Sequence, residues 1–244
     1  MAKAADHLDI LAIAAHRDDV EQTCGGTLLK MAELGHRTGI LDLTRGELGT
    51  RGSAQDRERE ADEAARVLKV SWRQALDIPD GRVENTWENR LKIVRVLRQG
   101  RPRVVILPYW KGRHPDHYTC STLGYEACFL SGLAKLEVPG SSAPAHRPFK
   151  IVYATLYYDI RPTFVVDITA QFEARLESLY AYKTQFTDQE AGRTDFPPQA
   201  EIRARVEAMA RFYGMLAGVT YAEPFLQKEV ALVEDLAAIP VKSI

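Results

Sequence analysis

The sequence predicts an α/β domain built on a doubly wound, mostly parallel sheet with helices on both faces. Short, almost wholly apolar runs recur along the chain, segments of helical periodicity lie between them, and glycine or proline follows the ends of those segments. An apolar run without alternation suits a strand buried on both faces. Regular alternation of such strands with helices requires parallel neighbours. With 244 residues and 45% hydrophobic composition, the chain can bury one such core, and a single domain over 1–244 is expected.

The first strand is expected at residues 8–15, followed by a helix over 21–34 that Gly35 stops. A strand at 38–43, a helix over 55–68 and a weaker strand pattern at 72–76 come next. The helix over 84–99 places Leu91, Val94 and Leu97 on one stripe and meets Gly100 and Pro102, and the fourth strand follows at 103–108. In the second half, strands at 151–158 and 163–168 are joined by the turn at 159–162, and helices follow over 170–183 and 199–216. The polar, Gly- and Pro-containing stretch at 187–198 reads either as a mobile loop near a site or as a surface connection.

Composition excludes several classes of function. The net charge of -1 provides no polyanion-binding surface, so nucleic acid is not an expected partner. The apolar runs are far shorter than the roughly 20 residues of a membrane-spanning helix. The first residues lack a signal-peptide core, and a cytoplasmic protein is expected. Cys24, Cys120 and Cys128 form neither an even set nor a Cys-x-x-Cys pair, which fits buried thiols in a reducing compartment. His7, His36 and His146 lie outside the motifs and read as surface or loop residues.

Two polar clusters carry the chemistry: His16-Arg17-Asp18-Asp19-Val20-Glu21 after the first strand and Arg113-His114-Pro115-Asp116-His117 after the fourth. In a doubly wound order of 3-2-1-4 those strands are neighbours, so both clusters flank the switch point where ligands bind. Either cluster alone is explained by helix capping or a solvated turn. Together they point to a metal. Catalytic zinc takes three nitrogen or oxygen ligands and keeps a position open, and His16, Asp19 and His117 supply such a set. Asp18 is then the base that takes a proton from water, which zinc makes more acidic. His114 stands opposite as a cation that stabilises an oxyanion or protonates the leaving amine, with Asp116 holding its ring.

Gly25-Gly26 lacks the Gly-x-Gly-x-x-Gly pattern and reads as close helix-to-sheet packing rather than a nucleotide site. The segment at 43–52 leaves the second strand toward the same cleft. Glu47, Arg51 and, at the next helix, Arg57 are candidates to hold carboxylate or hydroxyl groups of a substrate; the alternative is a flexible loop with solvated charges.

Ala-His-x-Asp-Asp-x-Glu paired with Arg-His-Pro-Asp-His resembles the PIG-L or LmbE-like deacetylases, and the likeness continues through 41–44, 165–168, 181–186 and 218–225. The resemblance implies a Rossmann-like, LmbE-like domain. It assigns zinc to His16, Asp19 and His117, the base to Asp18, and a transition-state pair to His114 and Asp116; by affinity order and availability, iron(II) and cobalt(II) are alternative occupants of the same ligands. It implies an N-acetylated amino sugar as substrate, nearest to N-acetylglucosaminyl malate of bacillithiol biosynthesis. Other N-acetylglucosamine-containing sugars, or sugar binding without turnover, are the alternatives. A substrate contact for Arg57 and a homo-oligomer, trimer or hexamer, follow by analogy. Two residues depart from the pattern. Arg17 stands where the family most often has proline, its side chain expected to point away from the metal, and no tyrosine occurs from 184 to 212.

Overall fold

The computed structural model describes residues 7–155, 159–186 and 198–241. β1 (Ile10–Ala14), β2 (Thr38–Asp42), β3 (Trp72–Ala75) and β4 (Val104–Pro108) are the four strands expected in the first half. β5 (Lys150–Ala154), β6 (Phe164–Asp167) and β7 (Ala222–Leu226) complete one seven-stranded sheet of order β3-β2-β1-β4-β5-β7-β6. The first five strands in that order run parallel, and β7 pairs antiparallel with both β5 and β6. The doubly wound α/β architecture is therefore the one read from the sequence.

Both faces of the central strands are covered, as their unbroken apolar pattern requires. Leu11 and Ile13 of β1 pack with Leu41 and Leu107 beneath α4 (Trp87–Gly100) and α5 (Pro115–Ser131). Ala12 and Ala14 face the other way, with Ile40 and Ile106, against Val20 of α1 (Asp19–Thr23) and Leu28 of α2 (Gly25–Glu33). α3 (Ala54–Val67) packs on α6 (Phe172–Tyr180), which is followed by α7 (Lys183–Phe186) and α8 (Gln199–Met215). The three cysteines are buried and free. No helix among the described residues is long and apolar enough to cross a membrane.

Three expectations change. The helix expected over 21–34 is two helices, broken at Cys24, whose φ of -145° is far from helical. The helix over 170–183 likewise stops at Tyr180, and a separate turn of helix begins at Lys183. The strands on either side of 159–162 do not pair with each other, because β7, from near the end of the chain, lies between them. Residues 156–158 of the expected strand and 187–197 of the polar stretch lie outside the described residues.

Candidate metal centre

Register fixes where the site forms. Ala14 pairs with Asp42, Asp42 with Ala75, and Ala12 with Ile106, so β1 to β4 end along one rim. Loops leaving that rim carry His16, Asp80 and His114. The last of these is the N-cap of α5, whose first turn supplies Asp116 and His117.

His16 Nδ1 lies 3.1 Å from His117 Nε2 and 3.5 Å from an Asp19 carboxylate oxygen. The other Asp19 oxygen is 3.2 Å from His117 Nε2. Two imidazole nitrogens and one carboxylate thus converge, and a tetrahedral ion with bonds of about 2.1 Å holds its ligand atoms roughly 3.4 Å apart. The donor set and its spacing fit a zinc-like ion. The far side of the His16 ring, Nε2, is 3.1 Å from Asp80 Oδ1 and 3.2 Å from Asp116 Oδ2. Burial disfavours the imidazolium, yet bonds to Asp19 and Asp80 outweigh it and lift the His16 pKa to about 11. Burial also opposes the charge on Asp19, but His117 and His16 hold its carboxyl well below the usual range.

Asp18 is buried beside these groups. Burial raises its pKa to about 7, with Arg57 pulling it down and Asp19 and Glu21 pushing it up. Its backbone is left-handed, at φ 96° and ψ -22°, a conformation that costs a non-glycine residue on the order of 1–3 kcal/mol. His114 is exposed, stacked on His117 at 4.9 Å between ring centroids and edge-on to His16 at 4.8 Å. The Asp116 amide donates to His114 Nδ1 at 3.2 Å, which leaves Nε2 to carry the proton. Burial, then His16 and His117, lower the His114 pKa, so the ring is neutral near pH 7 rather than the cation expected from the sequence.

Asp116 is a second correction. Its carboxylate does not hold the His114 ring. It accepts from the Gly81 and Val83 amides at 2.8 and 3.2 Å and reaches His16 instead, because the first turn of α5 directs it toward the β3 loop. Asp80, missed in the sequence, performs the same service for His16 and is itself fixed by the Leu48 amide at 3.0 Å. Its only sequence signal is a Pro-Asp-Gly turn beyond a strand on the same rim.

Beside this cluster opens a cleft of about 870 Å³, with Asp19, His114 and His117 in its wall together with Tyr109, Phe186, Ile202 and Met209. Glu47, Arg51 and Arg57 do not line it. Glu47 accepts from the Asp80 amide at 2.8 Å. Arg57 is buried, its Nη2 2.5 Å from the Arg17 carbonyl oxygen and 3.5 Å from Asp18 Oδ1. The Arg17 side chain points away from the ligand atoms, as expected, and donates to the Ala54 carbonyl at 3.1 Å.

Residues 11–128 match the family model described as PIG-L, GlcNAc-PI de-N-acetylase. The chain is 32% identical over 225 residues to the diacetylchitobiose deacetylase of Thermococcus kodakarensis, covering 88% of this chain and 80% of the relative. Among solved structures, the conserved protein TT1542 of Thermus thermophilus superposes with a TM-score of 0.83 at 38% identity, covering 93% of this chain and 98% of that one. The inhibitor-bound N,N'-diacetylchitobiose deacetylase of Pyrococcus horikoshii gives 0.78 at 27% identity, with 91% and 83% covered.

Proposed function

The chain belongs to the PIG-L family of N-deacetylases, and from that premise we propose that it hydrolyses the N-acetyl group of an N-acetylglucosaminide with a divalent ion held by His16, Asp19 and His117. The observation that carries this reading is the 3.1–3.5 Å spacing of those ligand atoms beside an open cleft. Zinc is the ion that such an N,N,O set suits best, and iron(II) is accepted by the same ligands. When bound, the ion supplies Lewis acidity that polarises the acetyl carbonyl and makes water a better acid.

The chain's own residues do the rest. Asp18, with a pKa near 7, accepts the proton of the attacking water. His114 presents Nε2–H to the cleft, where it stabilises the developing oxyanion, and the proton that Asp18 takes from the water passes on to the leaving amine. Asp80 and Asp116 fix the tautomer and tilt of His16 from behind.

The named relatives favour a chitobiose-like sugar. N-acetylglucosaminyl malate is the finer candidate raised by the sequence motifs. Zinc-loaded protein is to be given N,N'-diacetylchitobiose and N-acetylglucosaminyl malate in parallel, with release of free amine measured. Preference for the malate glycoside supports the finer assignment, and turnover of chitobiose alone replaces it with the relatives' substrate type. No amine from either, above a chelated control, overturns the reading. A trimer or hexamer belongs to the same proposal and is checked by sedimentation at several concentrations.

A further inference from the structure

We propose that Arg17 and Arg57 form a reciprocal clamp that holds the turn His16–Asp19 in the flipped form that presents Asp18, an inference that rests on Asp18 acting in the hydrolysis above. The Asp19 amide donates to the His16 carbonyl at 3.4 Å, so residues 16–19 form a β-turn. With φ 96° and ψ -22° at its third position, Asp18, this is a type II turn. Types I and II differ by a flip of the central peptide, here the one joining Arg17 to Asp18. Type II favours glycine at the third position, and the Asp18 side chain makes no capping bond of its own. Inside the turn the Asp19 carboxylate accepts from the His16 amide at 2.9 Å, but among the described residues no side chain of 16–19 bonds the central peptide, so the bond that selects its flipped form comes from outside the turn.

Arg57 provides it. Its Nη2 donates to the carbonyl oxygen of that central peptide at 2.5 Å, a bond that the unflipped peptide does not make. Its guanidinium is boxed in: a Cβ on Gly46 would stand 3.4 Å from Cζ, and the Tyr182 ring lies 5.8 Å away. In the opposite direction, Arg17 reaches out of the turn to the Ala54 carbonyl at the start of α3, the helix that carries Arg57. A capping box between Ser53 and Asp56 fixes that helix start. Both arginines are buried and neither lines the cleft, and each bonds the backbone of the other's segment, which gives both a positioning role. The Arg17 amide donates to no group among the described residues, so proline, suited to the second position of a type II turn, can occupy it.

The test compares Arg57→Met, Arg57→Lys, Arg17→Met and Arg17→Pro. In the Met variants, kcat is expected to fall about 10- to 100-fold, the loss that a misplaced reacting group produces, and in Arg17→Met KM stays within about twofold. Arg57→Lys and Arg17→Pro are expected to recover part of the loss relative to their Met counterparts. Amide hydrogen exchange on zinc-free, substrate-free protein reads the clamp without turnover, and the segment 15–20 is expected to exchange faster in the Met variants. A raised KM at unchanged kcat would make Arg57 a substrate contact and overturn the clamp. Unchanged exchange over 15–20 in folded Met variants also overturns it. An unmutated protein that releases no amine counts instead against the proposed function.

Discussion

Asp80 and Asp116 face one nitrogen of His16 while the other nitrogen faces His117 and Asp19. A carboxylate behind a ligating imidazole fixes its tautomer and raises its basicity, and its loss typically weakens metal affinity 10- to 100-fold. Asp80→Asn is therefore expected to weaken zinc binding by about that factor in competition with a chromophoric chelator, with turnover largely regained at saturating zinc. Asp116→Asn also disturbs the acceptor for Gly81 and Val83 and should lower the melting temperature further. Asp18→Asn is expected to keep its zinc and lose about 10²- to 10⁴-fold in kcat, the usual contribution of a general base. Six residues of this cluster were legible because they leave the ends of two adjacent parallel strands, a consequence of strand order alone. Asp80 was not, because a Pro-Asp-Gly turn looks the same whether or not a histidine lies behind it. The role of Asp116 was misread for a related reason: spacing along the chain does not say which way a side chain in the first turn of a helix points.

At the scale of elements, the break between α1 and α2 has identifiable causes. Arg175 donates to the carbonyls of Glu21 and Gln22 at 3.2 and 2.5 Å, and so satisfies the end of α1. Glu223 accepts from the Gly26 and Thr27 amides at 2.9 and 2.7 Å and from the Thr27 hydroxyl at 2.6 Å, and so caps α2. The two side chains pair at 3.1 Å across the break, each charge matched to its helix end. A Cβ on Gly26 would meet Ile168 at 2.9 Å and Glu223 at 3.0 Å, so that glycine serves the close packing expected of it. Glu223→Gln leaves Arg175 without its charge partner in a buried place and is expected to cost about 2–3 kcal/mol. That is a fall of roughly 5–10 °C in melting temperature, measured by calorimetry. The sequence reads as one helix here because periodicity reports only which side chains face the core. The caps come from residues more than 150 positions away, and β7, which carries Glu223, has a central proline and no clear strand signal of its own.

For the molecule as a whole, the rim where β1 to β4 end gathers the buried carboxylates of Asp18, Asp19, Asp80 and Asp116 around His16. Mutual repulsion and lost hydration there oppose folding unless positive charge compensates them. Arg57 and, in the metal-free protein, the His16 imidazolium supply part of that charge, and a divalent ion on His16, Asp19 and His117 displaces the His16 proton and supplies more. Because those ligands come from loops after β1 and β4, the ion binds the folded chain and not the separated segments, so its binding energy adds to stability. At a free concentration about 100 times the dissociation constant, that is roughly 2.7 kcal/mol. For a chain of this size it corresponds to about 5–10 °C. Chelated protein is therefore expected to melt that much below zinc-loaded protein. The shift should vanish in His16→Ala and His117→Ala and persist in His114→Ala, since His114 is assigned to the oxyanion and not to the ion. Equal shifts in all three variants would remove the ligand assignment, and loss of the shift in His114→Ala would move that residue into the ligand set.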